Sequence, residues 1–588
     1  MLSSVQHTEG NRQTKVPMHI AEKDLGLEHV EVADSIPSKT AEALHAPNWV
    51  PILEKHVFAP RKLRMVCIGA GYSGLMLAYH LRDMGMEDFI DLKIYEKNHD
   101  VGGTWLENRY PGVACDVPAH IYTFSFEPNP DWTSFYAKGP EIWEYIKRTT
   151  IKYDLDRDVQ FNSAVKSAVW DDGAKKWKIK ADCKGSIVED EADILVNGSG
   201  ILNKWKWPDI EGLHSFKGKL LHSARWDESC NWDGKRVGVI GNGSSAIQIV
   251  PQIQKTAEKL VNYIRSPTWI SSNYAAQYTK DGRNFTYTEE QKRELREKPE
   301  ELLKMRKSIE HGFNQFFYAL LNDSPQQLAV HEAFSKMMLD RLNGRKDLIE
   351  KLVPEWKVGC RRLTPGDGYL EALQEPNTRC DFDPIIRITE KGIETSKGVE
   401  EFDIIVAATG FDVSFKPSFE LVGANGKRLD HEWADNPEAY FGTCAPGMPN
   451  YFIFNGPNCP VGHGSLLAVM EWTAQYMLRW AKKIATEDIG AVTVKDRAVR
   501  DYNEYSQEFL KRTVWTSGCR SWYKNGKTDG KVTAMYAGSI LHYKEILENI
   551  RGEDFDIEYN SKNSFRFMGN GLTAREERNE DLAFYVYK

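Results

Sequence analysis

None of the nine cysteines stands in a Cys-x-x-Cys pair, which argues against a zinc ribbon and a dithiol redox centre. No cluster of Cys, His and Asp at ligand spacing occurs either, so no metal is expected. No apolar run is long enough to span a bilayer. The opening residues, Met1-Leu2-Ser3-Ser4-Val5-Gln6, lack the apolar stretch of a secretion signal. The closing Val586-Tyr587-Lys588 is not a peroxisomal tripeptide. An odd number of cysteines without a signal fits a reducing compartment, and the expected location is cytoplasmic. A one-signed charge excess is also missing. A formal net charge of −8 with mixed signs gives no reason to expect nucleic-acid binding. Hydrophobic residues at 41% are ordinary for a soluble chain, and 588 residues are enough for roughly two or three domains.

What the chain does have is a pair of glycine-rich loops of one design. The first reads Ile68-Gly69-Ala70-Gly71-Tyr72-Ser73-Gly74 after the apolar run Met65-Val66-Cys67. The second reads Ile240-Gly241-Asn242-Gly243-Ser244-Ser245-Ala246 after Val237-Gly238-Val239. Each matches the strand–turn–helix start of a Rossmann unit. Its glycines allow a tight turn, close approach to a pyrophosphate, and close packing of helix on strand. Ala246 stands where the third glycine would be, a replacement that the pattern tolerates. Context strengthens the first loop. An apolar helical stripe follows (Leu75, Ala78, Leu81), then the strand Leu92-Lys93-Ile94-Tyr95, ending at Glu96, where a carboxylate meets a ribose hydroxyl. The second loop's next strand, Leu260 to Ile264, ends instead in Arg265-Ser266. A guanidinium there suits a 2′-phosphate that a carboxylate would repel; the alternative is a solvated strand-end arginine. Loop one therefore reads as an FAD or NAD site and loop two as an NADP site. Two dinucleotides imply electron transfer between them.

The expected fold class is α/β, with two Rossmann-like dinucleotide-binding domains, the second inserted in the first. Residues 1–60 read as a polar extension with Pro17, Pro37, Pro47 and Pro51, partly helical and wrapping the core, or mobile. The first part of the FAD domain spans 61–205, with a β-rich stretch from Phe161 to Ile179 and a buried strand from Asp193 to Asn197. The NADP domain spans 206–400. Its segment from about 288 to 352 shows apolar residues at helical spacing (Leu302, Met305, Ile309, Phe313, Phe316, Phe317) and reads as a helical excursion able to roof a pocket. The second part of the FAD domain, with a C-terminal lid region, is placed at 401–588. It opens on the strand Asp403 to Ala407 and contains a helix from about Ser465 to Ile484, whose N-terminus faces an anionic cofactor edge.

Between the loops lies Phe216-Lys217-Gly218, then His222, Trp226 and Asp227. On chemistry alone His222 is foremost a histidine that pins a linker by hydrogen bonds. The spacing nevertheless resembles the F-x-G-x-x-x-H-x-x-x-W-[P/D] motif of type I Baeyer–Villiger monooxygenases, of the class B flavoprotein monooxygenase family. Gly103-Thr104-Trp105, Tyr110-Pro111-Gly112 and Asp116 also match that family, as does Ala408-Thr409-Gly410. Gly359-Cys360-Arg361-Arg362 stands where the family has Gly-x-Lys-Arg. The resemblance runs from about Lys62 to Trp522.

The resemblance implies an enzyme, a soluble oxidoreductase holding FAD and using NADPH and O2. A flavin C4a-peroxide would attack a small-molecule ketone and give an ester or lactone, with sulfoxidation as a further activity. Arg362 would be the catalytic arginine and Asp116 its carboxylate partner; the alternative is a structural ion pair. FAD would be held by Gly69, Gly71, Gly74, Glu96, Gly103, Thr104, Trp105, Asp116, Tyr122, Val165 and Leu466. NADP would be held by Gly241, Gly243, Ser244, Ser245, Gln248, Arg265, Ser266, Arg361 and Trp522. Trp522 resembles the tryptophan of a mobile family loop; the alternative is a surface aromatic in a turn. Cys360 and Cys459 are expected to be buried packing residues. Two other functions stay open: a flavin monooxygenase acting on nitrogen or sulfur, and a non-catalytic nucleotide-binding flavoprotein. Nothing in the sequence specifies the ketone or an oligomeric state.

Overall fold

A computed structural model of the chain describes residues 46–271, 278–279 and 283–587. Most of the expected N-terminal extension lies outside the described residues. Residues up to Pro51 form a unit of their own, in which the Trp49 amide donates to the Ala46 carbonyl.

From Ile52 onward, ten strands make two parallel sheets. In chain order they are β1 (Leu63–Ile68), β2 (Ile90–Tyr95), β3 (Val159–Gln160), β4 (Ile194–Asn197), β5 (Lys219–His222), β6 (Arg236–Ile240), β7 (Lys259–Tyr263), β8 (Thr378–Asp381), β9 (Ile404–Ala407) and β10 (Tyr451–Ile453). The first sheet has the order β10-β4-β1-β2-β3 and the second β8-β7-β6-β9-β5. Strands such as β1 and β9 are apolar along nearly their whole length because both faces of a parallel sheet are covered. Helix α1 (Tyr72–Asp83) follows β1, and α2 (Ser244–Gln254) follows β6, as expected of both loops. The stripe Leu75, Ala78 and Leu81 of α1 is buried.

The expected domain boundary at 400 needs correction. Strand β9 pairs with β6 and β5, so it belongs to the second sheet. The first sheet resumes only at β10, beside β4. An apolar parallel strand reads the same in either sheet, and its membership is set by a distant partner. The chain crosses between the sheets twice, at 199–205 and 408–412. These two connections are paired: the Asp412 amide donates to the Lys204 carbonyl at 2.7 Å, and Trp205 bridges Phe411.

The expected helical excursion consists of α3 (Glu289–Glu297), α4 (Pro299–Gln315), α5 (Pro325–Arg341) and α6 (Lys346–Leu352). Helix α7 (Leu466–Thr486) packs on α1 in the main core. An antiparallel β-layer (Ser163–Asp171, Lys176–Cys183, Ser186–Ala192) separates β3 from β4. No described helix is long and apolar enough to cross a membrane.

Candidate active site

At the first loop the glycines are required by close backbone approach. Gly69 has φ +104°, and a Cβ there would lie 2.7 Å from the Gly198 oxygen. A Cβ on Gly74 would sit 2.2 Å from the Gly69 oxygen. Gly71 and Gly103 face each other, the place of a Cβ on Gly71 being 3.6 Å from the Gly103 Cα. Glu96, at the end of β2, is 4% exposed and accepts the amides of Ala70 and Asn98, both at 2.8 Å. Burial raises its pKa, and these two donors oppose the rise. The carboxylate is thus drawn to the loop it was expected to serve. Thr104 opens a short helix carrying Trp105, whose indole donates to the Tyr122 hydroxyl at 3.2 Å. Val165 lies two residues beyond Ser163, whose amide bonds the Glu96 carbonyl. Leu466 is the first residue of α7.

The second loop repeats the geometry with one opening. Gly241 has φ +116°, and its Cβ would meet the Ala408 oxygen at 2.5 Å, whereas a Cβ on Gly243 would meet nothing within 4 Å. The loop is therefore open at Gly243. Ser244 shares a 2.6 Å hydrogen bond with Thr364, and Ser245 lies beside the Tyr110 hydroxyl. The Gln248 amide spans two segments, accepting from the Tyr110 hydroxyl at 2.9 Å and donating to the Ala114 carbonyl at 3.0 Å. Helix α2 is thereby braced against the stretch that leads to Asp116.

Asp116 and Arg362 come together from opposite halves of the chain. Arg362 donates from Nε and Nη2 to the two Asp116 oxygens, each at 2.8 Å, and from Nη1 to the Val461 carbonyl at 3.0 Å. Three directed bonds fix the guanidinium plane. The arginine side chain is still 38% exposed and the aspartate 20%, so the pair borders open space. Tyr523 of the C-terminal segment lies close enough for both charges to act on its phenol, which burial pushes up to about 12. Its neighbour Trp522 is half-buried in a short 3₁₀ turn, edge-on to the Tyr523 ring at 4.7 Å.

Arg361 donates from Nη1 to the Ser266 hydroxyl at 3.3 Å and the Pro267 carbonyl at 3.0 Å. Burial holds its pKa below the ordinary arginine value, and the charges of Arg265 and Arg520 push it the same way. Arg265 is exposed just past the end of β7. Cys360 corrects an expectation: besides packing, its sulfur is bonded to that of Cys519. Cys459 is buried and free, as expected. A disulfide is unusual for the reducing compartment that the cysteine count suggested.

The motif residues hold the connection between the sheets. The His222 ring stacks on Trp205 at 4.6 Å and meets Trp207 edge-on at 5.4 Å. Its Nδ1 accepts the Ala224 amide at 3.1 Å, and Nε2 lies 3.3 Å from the Thr409 hydroxyl. Burial lowers its pKa to about 4, so the ring is neutral at pH 7. Phe216 is buried, and a Cβ on Gly218 would strike the Asp403 oxygen at 2.5 Å. Trp226 packs on Trp232, while Asp227 pairs with Lys219 and caps Ser229. This is the linker-pinning role that chemistry alone assigned to His222. No group of metal-binding side chains occurs among the described residues.

Helix α4 adds residues that carry no mark in the sequence. Arg306 donates to the His120 carbonyl at 3.0 Å and to the Thr123 hydroxyl at 3.3 Å. One turn on, Glu310 reaches the Ser465 hydroxyl at the start of α7, and burial raises its pKa to about 7 despite the opposing charge of Arg306. In sequence Glu310 is one more charge on a Lys/Glu-rich helix. Because the folded value exceeds the unfolded one of about 4.5, the unfolded state loses its proton first. Stability therefore falls as pH rises through that window and is flat above it. Glu310→Gln should raise the melting temperature at pH 8, by a gain on the order of 1 kcal/mol, and the difference should vanish below about pH 4.5. Thermal melts of both proteins across pH 4 to 8 check the sign.

Known proteins now place the chain. A family model described as flavin-binding monooxygenase-like matches residues 62–331. The chain belongs to the type I Baeyer–Villiger monooxygenases of the class B flavoprotein monooxygenase family, and it is an enzyme of that type. It is 56% identical over 535 residues to the FAD-binding monooxygenase tazF of Aspergillus terreus, covering 90% of this chain and 95% of that protein. It is 35% identical over 498 residues to a Baeyer–Villiger monooxygenase of Pseudomonas aeruginosa, covering 83% of this chain and 90% of that protein. Among solved structures, NADP+-bound cyclohexanone monooxygenase from Rhodococcus sp. Phi1 superposes with a TM-score of 0.73 at 25% identity, over 85% of this chain and 100% of that one. An oxidised steroid monooxygenase bound to NADP gives 0.72 at 27% identity, again over 85% of this chain and 100% of that one.

Proposed function

We propose that this enzyme binds FAD at the first loop and NADPH at the second, and inserts one atom of O2 beside the carbonyl of a small ketone to give an ester or lactone. The observation that carries the reading is Arg362, locked by Asp116 and Val461 yet bordering open space. The backbone approaches of Gly69 and Gly74 and the clear volume above Gly243 are compatible with both dinucleotides. The tazF relative is an FAD-binding monooxygenase, and both similar structures are bound to NADP.

Bound FAD, once reduced by NADPH, would supply the activated oxygen. The chain's own part is electrostatic. The Arg362 guanidinium stays charged at every working pH and stabilises negative charge developing on oxygen, without giving up its proton. Asp116 sets its plane and moderates its charge. Gly71 and Gly103 leave room for a cofactor against the backbone, while Glu96 would take a ribose hydroxyl. Arg265, Ser266 and Arg361 would take the 2′-phosphate.

The purified protein should be yellow and should consume O2 with NADPH when a ketone is added, with ester identified by mass spectrometry. A sulfide turned to sulfoxide without ester formation from any ketone would move the reading to sulfur oxygenation. No ketone-stimulated consumption would reject it. Arg265→Ala should raise the KM for NADPH about tenfold, as for loss of one charge-assisted contact, and leave NADH use nearly unchanged. Equal weakening of both coenzymes in steady-state kinetics would take Arg265 out of the phosphate site.

A further inference from the structure

Cys360 and Cys519 lie 159 residues apart in sequence, yet their Cα atoms are 6.3 Å apart and their sulfurs are bonded. Both are fully buried. Each directly precedes an arginine, Arg361 after Cys360 and Arg520 after Cys519. The bond therefore joins the backbones directly before two arginines that come from separate parts of the chain. Arg361 leans on Ser266 and Pro267, the two residues after Arg265. Arg520 is exposed, and its Nε donates to the Gly526 carbonyl at 2.7 Å, which fixes its stem within its own turn. Arg265 and Arg520 are the two charges that act on Arg361. Arg265 and Arg520 thus lie on the same side of Arg361 as Ser266 and the cross-link, within electrostatic reach of it.

Like charges held together are unfavourable unless an anion sits among them. Arginine forks match a phosphomonoester, which carries about −1.5 to −2 charges near neutral pH. Around the cross-link the segment is also packed: Val514, Trp515 and Tyr523 are buried in the main core, and Asn322 donates to the Thr513 carbonyl at 3.0 Å. The sulfur bridge adds a covalent tie at the two residues directly before Arg361 and Arg520.

We propose that the Cys360–Cys519 disulfide is a positioning cross-link that holds Arg520 beside Arg361 and Arg265, completing a three-arginine site for the 2′-phosphate of the coenzyme. This deepens the assignment of the second loop to NADPH and rests on it. Arg520 is the phosphate ligand contributed by the C-terminal segment, and the cross-link makes coenzyme choice sensitive to thiols. A dithiol breaks the S–S bond by supplying two electrons and two protons; two cysteine thiols form and the dithiol closes to its own disulfide.

The test uses the full-length protein and two probes, 2′,5′-ADP, which carries the 2′-phosphate, and 5′-AMP, which lacks it. Alkylation under denaturing, non-reducing conditions should modify the seven free cysteines, and all nine after dithiothreitol. Titration calorimetry should show 2′,5′-ADP bound about tenfold more weakly by Arg520→Ala, by Cys519→Ser and by the dithiothreitol-treated wild type, with 5′-AMP binding unchanged. Arg520→Lys should retain most of the affinity. A cross-link with a merely structural role would shift both probes together. Nine reactive thiols without reductant, or unaltered 2′,5′-ADP binding by Arg520→Ala, overturns the proposal. Arg265→Ala separates the two levels. If it weakens 2′,5′-ADP while Arg520→Ala does not, only the cross-linked site falls; if neither does, the NADPH assignment of the second loop falls with it.

Discussion

Arg362→Ala is expected to keep FAD and the native fold and to lose ester formation by about 100-fold or more, the effect of deleting a fixed cation from a charge-developing transition state. Retention of the fold is expected because the side chain is 38% exposed and is not a core element. Its removal strands Asp116, but that carboxylate keeps access to water at 20% exposure, so the stability cost stays well below that of a fully buried unpaired charge. Arg362→Lys separates charge from geometry. An ammonium can face Asp116 but cannot bond both of its oxygens and Val461 in one plane, so partial activity should survive. Ester yield per NADPH consumed, beside flavin absorbance and a melting curve, checks all of this. Normal ester yield from the alanine variant would remove Arg362 from catalysis.

Gly74→Ala should be the most damaging single methyl in the nucleotide loops. Its Cβ would stand 2.2 Å from the Gly69 oxygen, far inside contact distance, and the obstacle is backbone that cannot rotate away. Helix α1 must then shift on β1, at a cost of about 1–3 kcal/mol for overpacking, and the loop loses the geometry expected to hold FAD. The protein should purify colourless with a lowered melting temperature. Gly243→Ala is the matched control: with nothing within 4 Å of its Cβ, the fold should be unaffected while the coenzyme is obstructed. The second loop already carries Ala246 at the place equivalent to Gly74, fully buried, so that loop accommodates the methyl that the first does not. A yellow Gly74→Ala protein with the parent's melting curve would contradict the packing argument. Flavin-to-protein absorbance ratios and thermal melts are the measurements.

These contrasts also mark what a linear reading reaches. The loops were legible because turn, glycine spacing and the apolar strand before each lie within a dozen neighbouring residues, and the opposing ends Glu96 and Arg265 each lie one strand further on. His222 was legible too, since a buried imidazole between tryptophans and backbone donors is an ordinary way to pin a linker. Strand β9 reads into the wrong sheet because nothing in Ile404-Ile405-Val406-Ala407 names its partners; β6 and β5 do that from far upstream. The sulfur pairing of Cys360 with Cys519 was invisible for the same reason, and with it the approach of Arg520 to Arg361. Glu310 and Tyr523 carry no local mark. Each is defined by what folds against it: the start of α7 for one, the Asp116–Arg362 pair for the other.

The paired crossings at 199–205 and 408–412 bear on the birth of the molecule. All five strands of the second sheet lie between Lys219 and Ala407, in one uninterrupted stretch of chain. The first sheet, begun earlier, waits for β10 to cover β4. On the ribosome the inserted unit can therefore close first, while the unit that encloses it still shows one naked edge. A strand edge left open during synthesis is a surface on which other chains pair. The hydrogen bond between Asp412 and Lys204 returns the chain to the place where it left the first sheet, so that the segment carrying β10 starts beside the edge it must cover.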